Sequence, residues 1–174
     1  VTMLNRMVIL CLFALLFETS CTKAQSDVHQ DSHGTTRMID HDSLKSNLSS
    51  FQQDVMCGGA TEAPFTGAYL YNKEDGVYHC AACQYPLFDS KTKYDSGSGW
   101  PSFYDKITEG AVTTKADNSH GMKRVEILCG HCGGHLGHIF NDGPINKTGQ
   151  RYCVNSVSLS FQTRENTIDV IHFE

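Results

Sequence analysis

The sequence predicts a mainly β domain that opens with a short helix and carries a structural zinc site bound by four cysteines. Fifteen glycines against four prolines indicate tight turns between short strands. Two C-x-x-C pairs each follow a segment rich in β-forming residues, as metal-binding turns after strands do. Apolar and polar residues alternate from 151 to 161, which is the period of a half-buried strand.

Composition limits the class of protein. The 174 residues leave room for one domain with extensions, and an apolar content of 40% is enough to bury a core. The formal net charge of -5 argues against a nucleic-acid partner, because phosphate binding needs clustered lysine and arginine. The eight cysteines do not form one disulfide pattern, since four of them lie in the C-x-x-C pairs. A monomer is the default expectation.

The N-terminal residues predict export. A cationic start and an apolar run of eleven residues indicate a signal peptide over residues 1–20. Cys21 lies where a bacterial lipoprotein carries its acylated cysteine, so we expect a lipid anchor there and a periplasmic or membrane-anchored protein. The alternatives are plain cleavage near Ala24 with secretion, or a retained anchor. Polar residues 21–42 predict a flexible linker, and the folded domain is expected over 43–174.

A short amphipathic helix is predicted at the start of the domain. Apolar residues recur there at helical spacing, at Leu44, Leu48, Phe51 and Val55. Asp42 and Ser43 precede them as candidate N-cap residues. We expect this helix to pack onto the domain, and a helix that binds a partner is the alternative.

The two C-x-x-C pairs predict one zinc site. Each turn can point two sulfurs at the same ion, and two turns complete a tetrahedral shell formed by Cys80, Cys83, Cys129 and Cys132. Such a filled shell is structural, because a catalytic zinc keeps one position open. The 45 residues between the pairs indicate an inserted sheet. Two redox-active dithiols or two small disulfides are the alternative interpretations.

A candidate nucleophile lies in the alternating segment 151–161. If this segment is one strand, Arg151, Cys153 and Asn155 share a face with the apolar positions that follow. A guanidinium lowers the pKa of a neighbouring thiol, and an amide can hold a polar group of a substrate. A buried, inert cysteine is the alternative.

Two further features support chemistry at Cys153. His135 and His138 follow the second C-x-x-C pair and could donate to, or protonate, an oxygen atom of a substrate. A second metal site is the alternative for this pair. Trp100 lies in a glycine-rich turn over residues 97–103, where its indole could hold an S-methyl group. Packing of Trp100 in the core is the alternative.

These segments together resemble the B-type methionine sulfoxide reductases. The similarity runs from Cys57 to about Phe161 and consists of several independent motifs in order. They are TEAPFTG (61–67), DGVYHC (75–80), GSGWPSF (97–103), HGM (120–122), HLGH (135–138) and RYCVNS (151–156). This family repairs one epimer of methionine sulfoxide.

The resemblance implies an all-β fold of two antiparallel sheets, with zinc on the side opposite the active face. It implies that Cys153 attacks the sulfoxide sulfur of oxidised proteins and becomes a sulfenic acid. The implied roles of the other residues are oxygen binding or protonation by His135, His138 and Asn155, thiolate stabilisation by Arg151, and a methyl pocket formed by Trp100. A second thiol then forms a disulfide, which a thioredoxin-like protein reduces.

The sequence departs from the commonest family pattern at one position. Ser98 stands where many relatives carry the resolving cysteine, and serine cannot form a disulfide. Other relatives place that thiol in the N-terminal loop, where Cys57 lies, so we expect Cys57 to be the resolving thiol. Direct reduction of the sulfenic acid by an external thiol is the alternative. The competing functions are a non-catalytic zinc-ribbon binding module and a general thiol peroxidase or disulfide enzyme.

Overall fold

The structure is a computed structural model that describes residues 45–164. The predicted signal peptide (1–20), the linker (21–42) and Cys21 lie outside the described residues, and so do Asp42, Ser43 and Leu44. Among the described residues, no helix is long and apolar enough to cross a membrane.

The predicted N-terminal helix is present as helix α1 (Ser50–Met56). Ser49 caps it: its hydroxyl accepts from the Gln52 amide at 3.3 Å, and the Gln52 side chain accepts from the Ser49 amide at 3.0 Å. Val55 is fully buried, whereas Phe51 is 47% exposed. The helix therefore packs on the domain through its last turn.

Within residues 45–164, nine strands form two antiparallel sheets, as the family resemblance implied. They are β1 (Gly76–Cys80), β2 (Pro86–Asp89), β3 (Lys93–Tyr94), β4 (Ser102–Phe103), β5 (Val112–Asp117), β6 (Arg124–Cys129), β7 (His135–Phe140), β8 (Arg151–Val154) and β9 (Leu159–Thr163). The smaller sheet has the order β2-β1-β9, and the larger sheet has the order β3-β4-β8-β7-β6-β5. In the described part of the chain, 3-10 turns connect strands at Ser90–Thr92, Ser119–Gly121 and Ser156–Ser158.

Aromatic side chains from both sheets form the core. Tyr78 and Phe88 project from the smaller sheet, and Phe103 and Tyr152 project from the larger one. The rings of Phe88 and Phe103 stack with centroids 4.4 Å apart, and Tyr78 meets Phe103 edge-on at 5.0 Å. Tyr78, Phe88 and Phe103 are fully removed from solvent. Such contacts add to the free energy gained by burying their apolar area, so they fix how the sheets face each other.

The prediction of one continuous strand over 151–161 is wrong. Strand β8 ends at Val154, a 3-10 turn spans Ser156–Ser158, and β9 begins in the other sheet. The break is caused by a residue that is distant in the sequence. The buried carboxylate of Glu62 accepts from the amides of Ser156 at 2.6 Å and Val157 at 3.2 Å. Because these amides bond to the carboxylate, they do not bond to a neighbouring strand.

Candidate active site

Cys153 lies in a row of side chains that crosses the larger sheet. The paired positions are Tyr94 with Ser102, Ser102 with Cys153, Cys153 with His138, and His138 with Glu126. Directly paired residues of neighbouring antiparallel strands project from the same face. The thiol therefore has a hydroxyl on one side and an imidazole on the other, as a consequence of strand register alone.

A pocket of about 110 Å³ opens beside this thiol. Its lining consists of Thr61, Trp100, Arg124, Gly137, His138, Phe140, Cys153 and Asn155. The structure thus brings together four of the predicted site residues: Cys153, Trp100, His138 and Asn155. A water molecule takes up about 30 Å³ in the liquid. The pocket can therefore hold a few heavy atoms, such as the sulfur, oxygen and methyl group of a sulfoxide.

The remaining predicted residues lie around the pocket rather than in its lining. His135 is behind His138, with ring centroids 5.6 Å apart, and is only 4% exposed. Arg151 lines a larger neighbouring groove together with Ser98. Cys57 follows helix α1 and is exposed.

A β-bulge explains how two histidines three residues apart reach the same side of strand β7. In a regular strand, residues i and i+3 point to opposite faces. Here Ile127 pairs with Gly137 and Leu128 pairs with His135, so Leu136 is an extra residue opposite β6. The extra residue reverses the alternation, and His135 and His138 project together. Gly137 has no space for a side chain, because an added Cβ would lie 2.0 Å from the Cys153 carbonyl oxygen.

Each histidine is paired with a carboxylate. His135 Nδ1 lies 2.6 Å from Glu126 Oε1, and His138 Nε2 lies 2.8 Å from Asp117 Oδ2. An ionised carboxylate only accepts, so the facing ring nitrogens carry the hydrogens. Burial lowers the pKa of His135 despite the opposing effect of Glu126. The resting imidazole is therefore neutral near pH 7, and its buried Nε2 has no hydrogen-bond partner among the described residues.

Burial dominates the ionisation of Cys153. It raises the pKa of the thiol, whereas a hydrogen bond from Ser98 and the charge of Arg151 lower it. Arg151 is itself held by Asp142, with Nε 2.8 Å from one carboxylate oxygen and a terminal nitrogen 2.9 Å from the other. Arg151 thus acts on the thiol in the predicted direction, but desolvation has the larger effect.

Glu62 holds the polar end of the pocket together. Its backbone amide donates to Asn155 Oδ1 at 3.0 Å, and its carbonyl accepts from Trp100 Nε1 at 3.1 Å. Its carboxylate binds the Ser156 and Val157 amides, as described above. The Asn155 side-chain amide also donates to the Leu136 carbonyl at 3.1 Å. One buried residue therefore fixes both the amide and the indole of the site.

The residues that the sequence analysis missed are mostly carboxylates: Glu62, Asp117, Glu126 and Asp142. Glu62 was recognised only as part of a family motif. Asp117 and Glu126 lie on β5 and β6, and they meet the histidines only because of the pairing of these strands with each other and with β7. No local pattern identifies such partners.

The four C-x-x-C cysteines form one cluster. All four sulfurs lie within 4.8 Å of one another, and Cys80 Sγ–Cys132 Sγ and Cys83 Sγ–Cys129 Sγ are each 3.6 Å apart. Four sulfurs placed tetrahedrally about 2.3 Å from one ion would be about 3.8 Å apart, so the cluster fits a bound metal ion. Cys80 ends β1 in the smaller sheet, and Cys129 ends β6 in the larger one. The metal site therefore joins the two sheets.

The two C-x-x-C turns have the same backbone geometry. In each turn the amide of the first cysteine donates to the carbonyl five residues later, and the residue four positions on donates back to the carbonyl of that cysteine. This fourth residue is Gln84 in one turn and Gly133 in the other, and φ is 59° and 72° respectively. The left-handed residue closes the turn so that both sulfurs project to the same side.

Comparisons with known proteins agree with this geometry. Residues 48–163 match the SelR domain. The chain is 58% identical over 123 residues to the peptide methionine sulfoxide reductase MsrB of Escherichia coli strain K12 / DH10B. The aligned residues cover 71% of this chain and 89% of that relative. The protein of the same name from Escherichia coli O157:H7 strain EC4115 has the same identity and coverage. The chain therefore belongs to the MsrB family of methionine sulfoxide reductases, built on a SelR domain.

Proposed function

We propose that this chain reduces the R epimer of methionine sulfoxide in oxidised proteins, with Cys153 as the nucleophile. The observation that carries the proposal is the convergence of Cys153, His138, Asn155 and Trp100 on one small pocket. The similarity to enzymes named peptide methionine sulfoxide reductase MsrB gives independent support.

The proposed first step transfers oxygen from the substrate to Cys153. The Cys153 sulfur attacks the sulfoxide sulfur, and the S–O bond of the substrate breaks. The oxygen is transferred to the Cys153 sulfur, which becomes a sulfenic acid. The thiol hydrogen ends on that oxygen, so one thiol and one sulfoxide give one sulfenic acid and one thioether. The sulfoxide is reduced by two electrons, and Cys153 is oxidised by two.

The imidazoles are suited to move that hydrogen. His138 faces the pocket, and Asp117 fixes its ring through Nε2. A neutral imidazole can take the thiol proton, and the adjacent carboxylate stabilises the imidazolium that results. The imidazolium then protonates the sulfoxide oxygen as the S–O bond breaks. Asn155 orients that oxygen, and the Trp100 indole contacts the methyl group, a sulfur–aromatic contact worth about 0.3–1.5 kcal/mol.

Cys57 is proposed as the resolving thiol. It condenses with the Cys153 sulfenic acid to form a disulfide and water, and a thioredoxin-like dithiol then reduces the disulfide. Cys57 lies four residues before Thr61, which lines the pocket, so the chain between them spans at most about 14 Å. The amides of Cys57, Gly58 and Gly59 bond to carbonyls of helix α1. Any movement of Cys57 toward Cys153 that breaks these bonds opens the last turn of the helix.

Changing Cys57 to serine is expected to leave one turnover intact and to stop recycling by thioredoxin. Adding Ser98→Cys to this variant should restore thioredoxin-dependent turnover, because Ser98 Oγ already lies 3.7 Å from Cys153 Sγ. The measurement is thioredoxin-coupled oxidation of a nicotinamide cofactor, with dithiothreitol-driven turnover as the control for folding. Full thioredoxin activity in Cys57→Ser would assign the resolving role elsewhere.

Zinc is proposed as the metal of the four-cysteine cluster. Four thiolates in a tetrahedral arrangement suit zinc, and the filled shell gives it a structural rather than a catalytic role. Cys80, Cys83, Cys129 and Cys132 would hold the ion.

An epimer-resolved assay tests the proposed reaction. Purified protein with dithiothreitol is expected to convert the R epimer of a peptide methionine sulfoxide to methionine and to leave the S epimer unchanged. Chromatography of both epimers before and after incubation measures this directly. Equal loss of both epimers, or turnover of peroxide instead, would favour a general thiol peroxidase. The absence of any turnover by zinc-loaded, folded protein would favour a non-catalytic zinc-ribbon module.

A further inference from the structure

Three serine hydroxyls form a hydrogen-bonded cluster against the nucleophile. Ser98 Oγ lies 3.7 Å from Cys153 Sγ, Ser96 Oγ donates to Ser98 Oγ at 2.9 Å, and Ser96 Oγ lies 2.7 Å from Ser102 Oγ. Ser102 is fully buried and is the strand partner of Cys153. A disulfide is not available at residue 98, so the role of this hydroxyl in the reaction is open.

The hydrogens of the cluster can be assigned from the distances. Ser98 Oγ accepts from Ser96 at 2.9 Å. Its own hydrogen can point to the Trp100 carbonyl or to Ser102 Oγ, both at 3.5 Å, or to the Cys153 sulfur at 3.7 Å. Ordinary O–H···O bonds measure about 2.5–3.0 Å, so the two oxygen acceptors are too distant. Sulfur has a larger van der Waals radius than oxygen. Of the three candidate acceptors, Cys153 Sγ at 3.7 Å therefore exceeds van der Waals contact with Ser98 Oγ by the least.

The direction of the remaining donors reinforces this assignment. Since Ser96 gives its hydrogen to Ser98, the Ser102 hydroxyl donates to Ser96 at 2.7 Å, a shorter contact than its alternative, the Trp100 carbonyl at 3.2 Å. The three donors then run in one direction, from buried Ser102 through Ser96 and Ser98 to the sulfur. Hydrogen bonds aligned in this way polarise one another, which strengthens the last bond in the chain.

We propose that the Ser98 hydroxyl is a catalytic hydrogen-bond donor that stabilises the Cys153 thiolate, and that Ser96 and Ser102 orient it. The proposal rests on the proposed function of Cys153 as nucleophile. A hydrogen bond to a charged acceptor is about twice as strong as one to a neutral acceptor, so the contact favours the thiolate over the thiol. It opposes the burial that otherwise holds the proton on this sulfur.

Several other groups face Cys153 or act on its charge. They are Arg151 and Asp142 as an ion pair, Tyr94 in the cross-strand row, His138 on β7, and Arg124 across the pocket. Arg151 favours the thiolate, whereas Asp142 disfavours it. Ser98 carries no formal charge, so replacing it leaves the charges of these groups unchanged and isolates the contribution of its hydroxyl.

The test measures ionisation of Cys153 without any sulfoxide. Iodoacetamide alkylation of Cys153 is followed at the peptide level by mass spectrometry across pH, for wild type, Ser98→Ala and Ser98→Thr. Ser98→Ala is expected to react about tenfold more slowly at pH 7, which corresponds to the loss of a hydrogen bond of about 1.4 kcal/mol. Wild type and Ser98→Ala should reach the same alkylation rate at high pH. Ser98→Thr should keep the pH dependence of wild type.

The control variant is Ser160→Ala, which removes an exposed hydroxyl that bonds Gln84 on the smaller sheet. It should match wild type throughout. A Ser98→Ala profile that coincides with wild type would overturn the proposal, and a different rate at high pH would show an effect on access instead. If wild type alkylates as expected but reduces neither sulfoxide epimer, the proposed function fails while the role of Ser98 is still decided.

Discussion

Changing Cys153 to serine is expected to lower methionine sulfoxide reduction with dithiothreitol by on the order of 10⁴-fold or more. Removal of an enzyme nucleophile typically leaves only the acceleration due to binding and polarisation of the substrate. Serine fits the same space, and its hydroxyl can bond Ser98 as the thiol does. The loss would therefore report the chemistry of sulfur rather than a change in packing.

The measurement is the release of methionine from the R epimer in a single turnover. Cys57→Ser serves as the matched control, since it removes another thiol but keeps the nucleophile. The thermal midpoint of Cys153→Ser should stay close to that of wild type, because Val154 and Tyr152 beside it keep their buried positions. Appreciable turnover by Cys153→Ser would contradict the assignment of the nucleophile.

Loss of the metal is expected to unfold the domain. A structural zinc ion in a four-thiolate site can contribute on the order of 10 kcal/mol to folding, which is comparable to the whole stability of a domain. Cys129→Ser should therefore abolish metal binding and the cooperative thermal transition. The same outcome is expected when wild-type protein is incubated with a strong chelator under reducing conditions.

Metal content and unfolding should be measured on the same samples. Elemental analysis gives the zinc stoichiometry, expected at one ion per chain, and circular dichroism follows the thermal transition. Cys57→Ser again provides the control, because Cys57 lies outside the cluster. A Cys129→Ser protein that keeps one ion and an unchanged transition would show that the four sulfurs do not share a site.

Spacing along the chain was enough to predict the cluster of four cysteines. The C-x-x-C pairs repeat the same local turn, so their geometry follows from a few neighbouring residues. Arg151 and Cys153 share a face because they lie on strand β8, as alternation predicted. The short helix and the two antiparallel sheets are also confirmed, the sheets through the family resemblance rather than through the pattern alone.

Features that depend on distant residues were not predictable in this way. Strand β8 stops before Asn155 because Glu62, 94 residues away from Ser156, binds the next amides. The H-x-x-H spacing gives a shared face only with the bulge at Leu136, and the register against β6 sets that bulge. The carboxylate partners of the histidines depend on the same strand pairing. Sequence periodicity carries no information about register between strands.

The extra residue in β7 makes the catalytic face sensitive to chain length. Deleting Leu136 would restore simple alternation along this strand and turn either His135 or His138 toward the opposite side. Every chemical group of the site would still be present in the sequence, yet one imidazole would be out of reach of its acidic partner. The spacing between the second C-x-x-C turn and the histidines therefore matters as much to the proposed site as the histidines themselves.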